Sequence, residues 1–277
     1  MDVAHRKKVC NRADSSQRRT FETTERMTTP RTFFLGWQDQ QNTRGWYPVG
    51  RLDYRPNEQD FAFGYTKGAL TAAEQSGFEP LYDFPNLHEV YRSKTLFPMF
   101  QNRVMTPQRR SFKDYLKQLA IDHSDPDPME ILAVDGGYRR TDSFQVFPKI
   151  EKRENGAFRC RFFLHGWRHT NDSAQTRLKE LEAGENLFVT IELTNPATQL
   201  AVQIQSEDYH MLGWAPRYLV GDLVHAIAYA PGDYAARVIR INPMPAPSKQ
   251  RVLVELSGHW PADYEPMSSP DFELLSN

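Results

Sequence analysis

Asn186-Leu187-Phe188-Val189-Thr190-Ile191-Glu192-Leu193, then Thr194-Asn195-Pro196-Ala197-Thr198, then Gln199-Leu200-Ala201-Val202-Gln203-Ile204-Gln205 is the stretch whose reading decides the fold. Two strand-like runs rich in apolar and β-branched residues flank an Asn-Pro turn, which predicts a hairpin of strands over 186–193 and 199–205. Val202 and Ile204 occupy alternate positions and are expected to face a core together with Phe188. Working outward, strands are expected at 144–147 and 158–166 before the hairpin, and at 211–214, 235–241 and 251–256 after it. Short helices are expected at 175–182, ended by Gly184, and at 218–229. The second half is therefore read as a small, mostly antiparallel β-barrel with two helices.

The first half is mixed. Strand-like runs at 32–37 and 46–54 and a period-two run at 61–65 predict three strands. A short helix over 68–77 ends at Gly77. Phe112, Tyr115, Leu116 and Leu119 fall at i, i+3, i+4 and i+7, which gives an amphipathic helix over 111–120 with Ser111 near its cap. Another helix starts after Asp127-Pro128, since proline suits the first helical turn. The expected class is α+β, with an α+β unit at 27–145, a barrel at 155–260, a polar head at 1–26 and a loose tail at 261–277. The head lacks apolar periodicity and reads as disordered. A basic arm and an extraneous leader with Met27 as the true start are both open readings of it.

Composition narrows the function. At roughly 150 residues per domain, 277 residues suggest two. Lys and Arg number 34 against 35 Asp and Glu, which excludes a uniformly basic histone-like chain and an acidic solvating tail. A mean hydropathy of −0.66 and the lack of a long apolar run predict no membrane span. No apolar block follows Arg6-Lys7-Lys8, so no signal peptide is read and the expected location is the cytoplasm. Two cysteines, Cys10 and Cys160, cannot build a structural zinc site that needs three or four thiolates. Cys160 sits in a strand pattern and reads as a small apolar filler.

Several segments of the second half come in the order and spacing of the HIRAN domain. They are Phe163-Leu164-His165-Gly166-Trp167-Arg168-His169, the run 178–202 with Glu192, Asn195, Pro196, Ala201 and Val202 in register, and Gly213-Trp214-Ala215-Pro216-Arg217-Tyr218-Leu219. About 100 residues resemble that family. The resemblance implies an OB-like barrel that holds single-stranded DNA, notably a free 3′ end, as a non-catalytic module in bacterial DNA repair or phage defence beside a helicase or nuclease. It implies that Arg168 and Arg217 meet phosphates, that His169 and Trp214 lie against a base, and that Asn195 and Thr198 border the groove. Where the family carries Tyr-Asp after Asn-Pro, this chain has Ala197-Thr198, so the preference for a free 3′ end is expected to be weak.

In the first half, Val49-Gly50-Arg51-Leu52, Phe61-Ala62-Phe63-Gly64-Tyr65 and Leu96-Phe97-Pro98-Met99-Phe100 resemble the N-terminal subdomain of HipA-type toxin kinases, without a kinase domain. That resemblance implies an alternative function, a protein–protein module of a toxin–antitoxin system with a HipA-like kinase as partner. The segment 91–117 is basic, and its interleaved aromatics allow either a strand-tracking groove or a solvated helix face. Asp135-Gly136-Gly137-Tyr138-Arg139-Arg140 is a turn without the lysine or spacing of a P-loop. No Walker motif, nucleophile elbow or H-E-x-x-H is present, so neither a catalytic residue, a metal nor a cofactor is assigned. His165 and His169 with Asp172 are the nearest approach to a metal set.

Overall fold

The computed structural model describes residues 31–276. The head at 1–26, the start of the first unit at 27 and Cys10 lie outside the described residues.

The first sheet has the order β4-β3-β2-β1-β5 and is antiparallel throughout. Its strands are β1 (Arg31–Gln38), β2 (Trp46–Arg55), β3 (Asp60–Tyr65), β4 (Tyr91–Ser93) and β5 (Phe144–Pro148). Alternation places Phe33 and Leu35 of β1 in one core and Phe34 in another. The first core is closed by α1 (Lys67–Ser76), α2 (Pro98–Gln101), α3 (Phe112–Gln118) and α4 (Pro128–Asp135). The expected stripe of α3 is realised, with Phe112, Tyr115, Leu116 and the following Leu119 all buried. Asp127 caps α4, its carboxylate accepting from the Met129 N–H at 2.9 Å.

The second sheet is also antiparallel, in the order β6-β11-β10-β7-β8-β9. It comprises β6 (Ala157–Phe163), β7 (Asn186–Asn195), β8 (Gln199–Ser206), β9 (Met211–Trp214), β10 (Ala235–Ile241) and β11 (Val252–His259), with α5 (Asp172–Glu180) and α6 (Arg217–Tyr229) packed against it. The α+β class holds, but the barrel expected at 155–260 is not closed by a strand ladder among the described residues. The sheet curls until its edges touch at one bridge, where His165 and Trp214 exchange two N–H···O bonds of 2.9 Å. Two glycines permit this approach. Gly213 has φ 154° and sits against the His165 carbonyl, while Gly166 has φ 68° and lies under the Trp214 ring, where a Cβ would collide.

Phe188 departs from expectation. The buried face of β7 carries Leu187 and Val189, and Val189 pairs with Ile204 and Ile191 with Val202. Phe188 therefore points outward, 40% exposed beside Tyr209. In a period-two strand a one-residue error exchanges the faces, and Phe188 is flanked by apolar residues on both sides.

The halves share their interior. The end expected for the first unit, at 145, falls inside β5, whose Val146 joins the first core and Phe147 the second. Phe163 and Leu253 of the second sheet in turn pack into the first core. Phe147 stacks on Tyr218 of α6 at 4.1 Å and 11°.

The tail is not loose. Asp222 accepts from the Tyr264 hydroxyl at 2.7 Å and the Met267 N–H at 3.0 Å, and Met267 is 4% exposed. Further on, Leu274 bridges Thr66, and the Leu275 N–H donates to the Tyr65 carbonyl at 2.9 Å. The tail thus straps both halves, which its scattered apolar residues did not announce. Among the described residues no helix is long and apolar enough to cross a membrane.

Candidate nucleic-acid interface

Arg168 and His169 lie on a single 3-10 turn, Trp167–His169, that begins at the left-handed Gly166. The turn is fixed from inside. The Trp167 indole N–H donates to the Ser248 carbonyl at 2.8 Å, and the Thr170 hydroxyl returns to the Trp167 carbonyl at 2.7 Å. With Trp167 held inward, Arg168 and His169 are both exposed.

Trp214 is the neighbour of this turn, its ring lying over Gly166. Its indole N–H donates to Glu192 Oε2 at 2.7 Å, and the same oxygen accepts from Asn195 Nδ2 at 2.9 Å. Burial works against the Glu192 charge, but hydrogen bonds from Asn195, Trp214 and Gln203 outweigh it and hold the carboxyl below its usual range. Asn195 Oδ1 accepts the N–H groups of Ala197 (2.9 Å) and Thr198 (3.1 Å) and the Thr198 hydroxyl (3.1 Å). Asn195 and Thr198 thus shape the β7–β8 turn with their own polar groups. An ionised Glu192 beside Trp214 disfavours an anion at the indole.

Arg217 opens α6 and is partly buried. Its Nη1 donates to the Arg44 carbonyl at 2.9 Å, in the β1–β2 connection of the first half. Burial and the nearby Arg44 charge lower its pKa. Pro216 and Tyr218 on either side of it line the large cleft, whereas Arg217 is not among the cleft's residues. The two arginines expected to meet phosphates thus have different settings: Arg168 lines the cleft, and the Arg217 guanidinium reaches across to a backbone carbonyl of the first half.

That cleft, about 1200 Å³, lies between the two halves. His165, Arg168 and Lys249 line it on one side, and Arg109, Arg139 and Arg140 on the other. Burial first, then the Lys249 and Arg217 charges, lowers the His165 pKa to about 4, so the imidazole is neutral at pH 7. Two carboxylates share the lining, Asp114 and Asp135. Asp114 is paired with Lys117 at 3.2 Å, and burial raises Asp135 to about 6 despite its hydrogen bonds. The cationic side chains dominate.

The sequence offers the basic segment 91–117 as either a strand-tracking groove or a solvated helix face, shows a plain turn at Gly136-Gly137, and carries no pattern that singles out Lys249. The signal in the first is basic residues interleaved with aromatics, and in the second it is the Gly-Gly pair. Nothing in a linear pattern places them opposite Arg168. Among the described residues no group of three or more His, Cys, Asp or Glu could hold a metal ion. Cys160 is a free thiol pushed up to about 12, chiefly by burial.

No family model matches this chain, and no curated protein does. Two solved structures share part of it. A protein from Lactobacillus plantarum is 19% identical over 37% of this chain and 97% of its own, with a TM-score of 0.28. The HIRAN domain of human HLTF is 14% identical over 40% of this chain and 77% of its own, also with a TM-score of 0.28. At those values neither likeness assigns a fold or an activity to this chain, and nothing in the comparisons bears on the HipA-like reading of the first half.

Proposed function

We propose that this protein binds single-stranded nucleic acid, without catalysing a reaction on it, through the surface around Arg168 and His169. The observation that carries the reading is Arg168. It is exposed, lines the cleft between the halves, and has no carboxylate partner among the described residues. An unpaired guanidinium is a forked donor matched to a phosphate. His169 beside it offers a ring plane to a base. Trp214 supports the turn through Gly166, and Asn195 and Thr198 hold the neighbouring hairpin turn in shape. Arg217 serves by tying α6 to the first half rather than by touching the strand. The ordered HIRAN-like segments of the sequence favour DNA as the ligand, and Ala197 removes the ring that would grip a terminal base.

The test is fluorescence anisotropy of the whole chain with labelled single strands over a range of salt. Wild type binds at low salt and weakens as salt rises, since released counterions drive the association. Arg168→Ala costs about 1–3 kcal/mol, the range of a charge-assisted hydrogen bond, and flattens the salt dependence by about one phosphate contact. Absence of single-strand binding at low salt, or an Arg168→Ala protein equal to wild type, overturns the reading.

A further inference from the structure

The turn that follows α4 is built with more care than a surface connection requires. Gly136 (φ 75°) ends the helix and Gly137 (φ 57°) continues in the left-handed region. A Cβ on Gly137 would come within 2.9 Å of the Leu132 side chain and 3.0 Å of Arg103 Cβ, so the chain is pressed against the core there. Arg103, its side chain 3% exposed, grips both ends of the turn. It donates to the Gly137 carbonyl at 2.9 Å and forks onto Asp142 at 2.6 and 3.2 Å. Between these anchors Tyr138, Arg139 and Arg140 are all exposed and all face the cleft.

Lys249, on the opposite wall, lays its ammonium 3.1 Å from the centre of the Tyr138 ring. No carboxylate pairs with Lys249, Arg109 or Arg140 among the described residues. The crest of the turn therefore presents an exposed aromatic ring with the Lys249 ammonium over one face, flanked by unpaired guanidinium groups and opposite Arg168. Base stacking on an aromatic face beside phosphate-binding cations is the arrangement by which single strands are held without regard to sequence. A cation held on an exposed ring by the quadrupole alone is weakly held.

We propose that Tyr138 is a base-stacking platform and that Arg140 and Arg109 are phosphate contacts, so that a strand held at Arg168 continues across the cleft onto the first half. Lys249 covers the ring in the unliganded protein and is displaced onto a phosphate when a base arrives. This inference rests on the single-strand reading above and adds a second wall to it.

The experiment is anisotropy of the whole chain with labelled oligothymidylates of about 4 and about 12 nucleotides, site sizes that span those known for such grooves. On the longer ligand Tyr138→Ala weakens binding about tenfold, the loss of one stacked base. Tyr138→Phe keeps the ring and the wild-type affinity, and Arg140→Ala weakens binding and flattens the salt dependence. On the shorter ligand, held at Arg168, the Tyr138→Ala effect shrinks. Tyr138 and Arg140 are exposed, so unaltered thermal melts accompany both substitutions. If Arg168→Ala weakens binding while Tyr138→Ala and Arg140→Ala match wild type on both lengths, the second wall is refuted and the reading at Arg168 stands. If wild type binds neither oligonucleotide, both fall.

Discussion

Replacing Asp135 with Asn removes one proton-binding group from the seam between the halves and should remove a defined part of the pH dependence of stability. Asp135 ends α4 and accepts from Gln250 of the second half, from the Tyr115 hydroxyl and from the Gly137 N–H. Burial is the largest influence and overrides those three donors, raising the carboxyl from 3.8 to about 6. For an acid whose folded pKa is raised, the native state binds more protons than the unfolded chain between the two values. Stability from this group is thus fully present below about pH 4 and is lost as pH rises through about 6. A rise of about two units at about 1.36 kcal/mol each makes that loss about 3 kcal/mol. Asn has nearly the shape of the protonated acid and does not titrate in this range. Urea unfolding of wild type and Asp135→Asn in parallel at intervals from pH 4 to pH 8 isolates the contribution, because every other titration cancels in the difference. The variant should gain on wild type by up to about 3 kcal/mol across the window and by nothing further above about pH 7. A difference that stays constant with pH refutes the account of Asp135 as a buried, proton-retaining acid.

Three further substitutions test the packing. Phe188→Ala should cost less than about 1 kcal/mol because the ring is 40% exposed, whereas Ile204→Ala, at 0% exposure, should cost about 2–5 kcal/mol. Equal losses in thermal unfolding would show that the β7–β8 faces are misassigned. Met267→Ala should cost about 2–5 kcal/mol although it lies in the tail, since the side chain is 4% exposed; a melt indistinguishable from wild type would mean that the strap contributes nothing to the fold.

Local pattern determined most of the secondary elements, though not the short β4 and α2, whose proline-containing stretch reads as loop. Strand-like composition placed β1 and β2, alternation placed β3, and the i, i+3, i+4 and i+7 spacing of Phe112, Tyr115, Leu116 and Leu119 placed α3 and its buried face. Asp127-Pro128 marked the start of α4 because capping and proline geometry act within one turn. These signals are read from neighbours in sequence, so the sequence suffices for them. Three things were decided only in the tertiary structure. Phe188 lies among apolar residues, and the face it takes depends on which of them pair with β8. The tail docks because Asp222 and Tyr65, far away along the chain, offer it partners. The cleft joins Arg168 and Lys249 to Arg109, Tyr138 and Arg140 only because both halves share the core around Phe34, Phe147 and Phe163. Charge fixes what a side chain attracts, but which charges act together is set by long-range packing, and no local pattern encodes that.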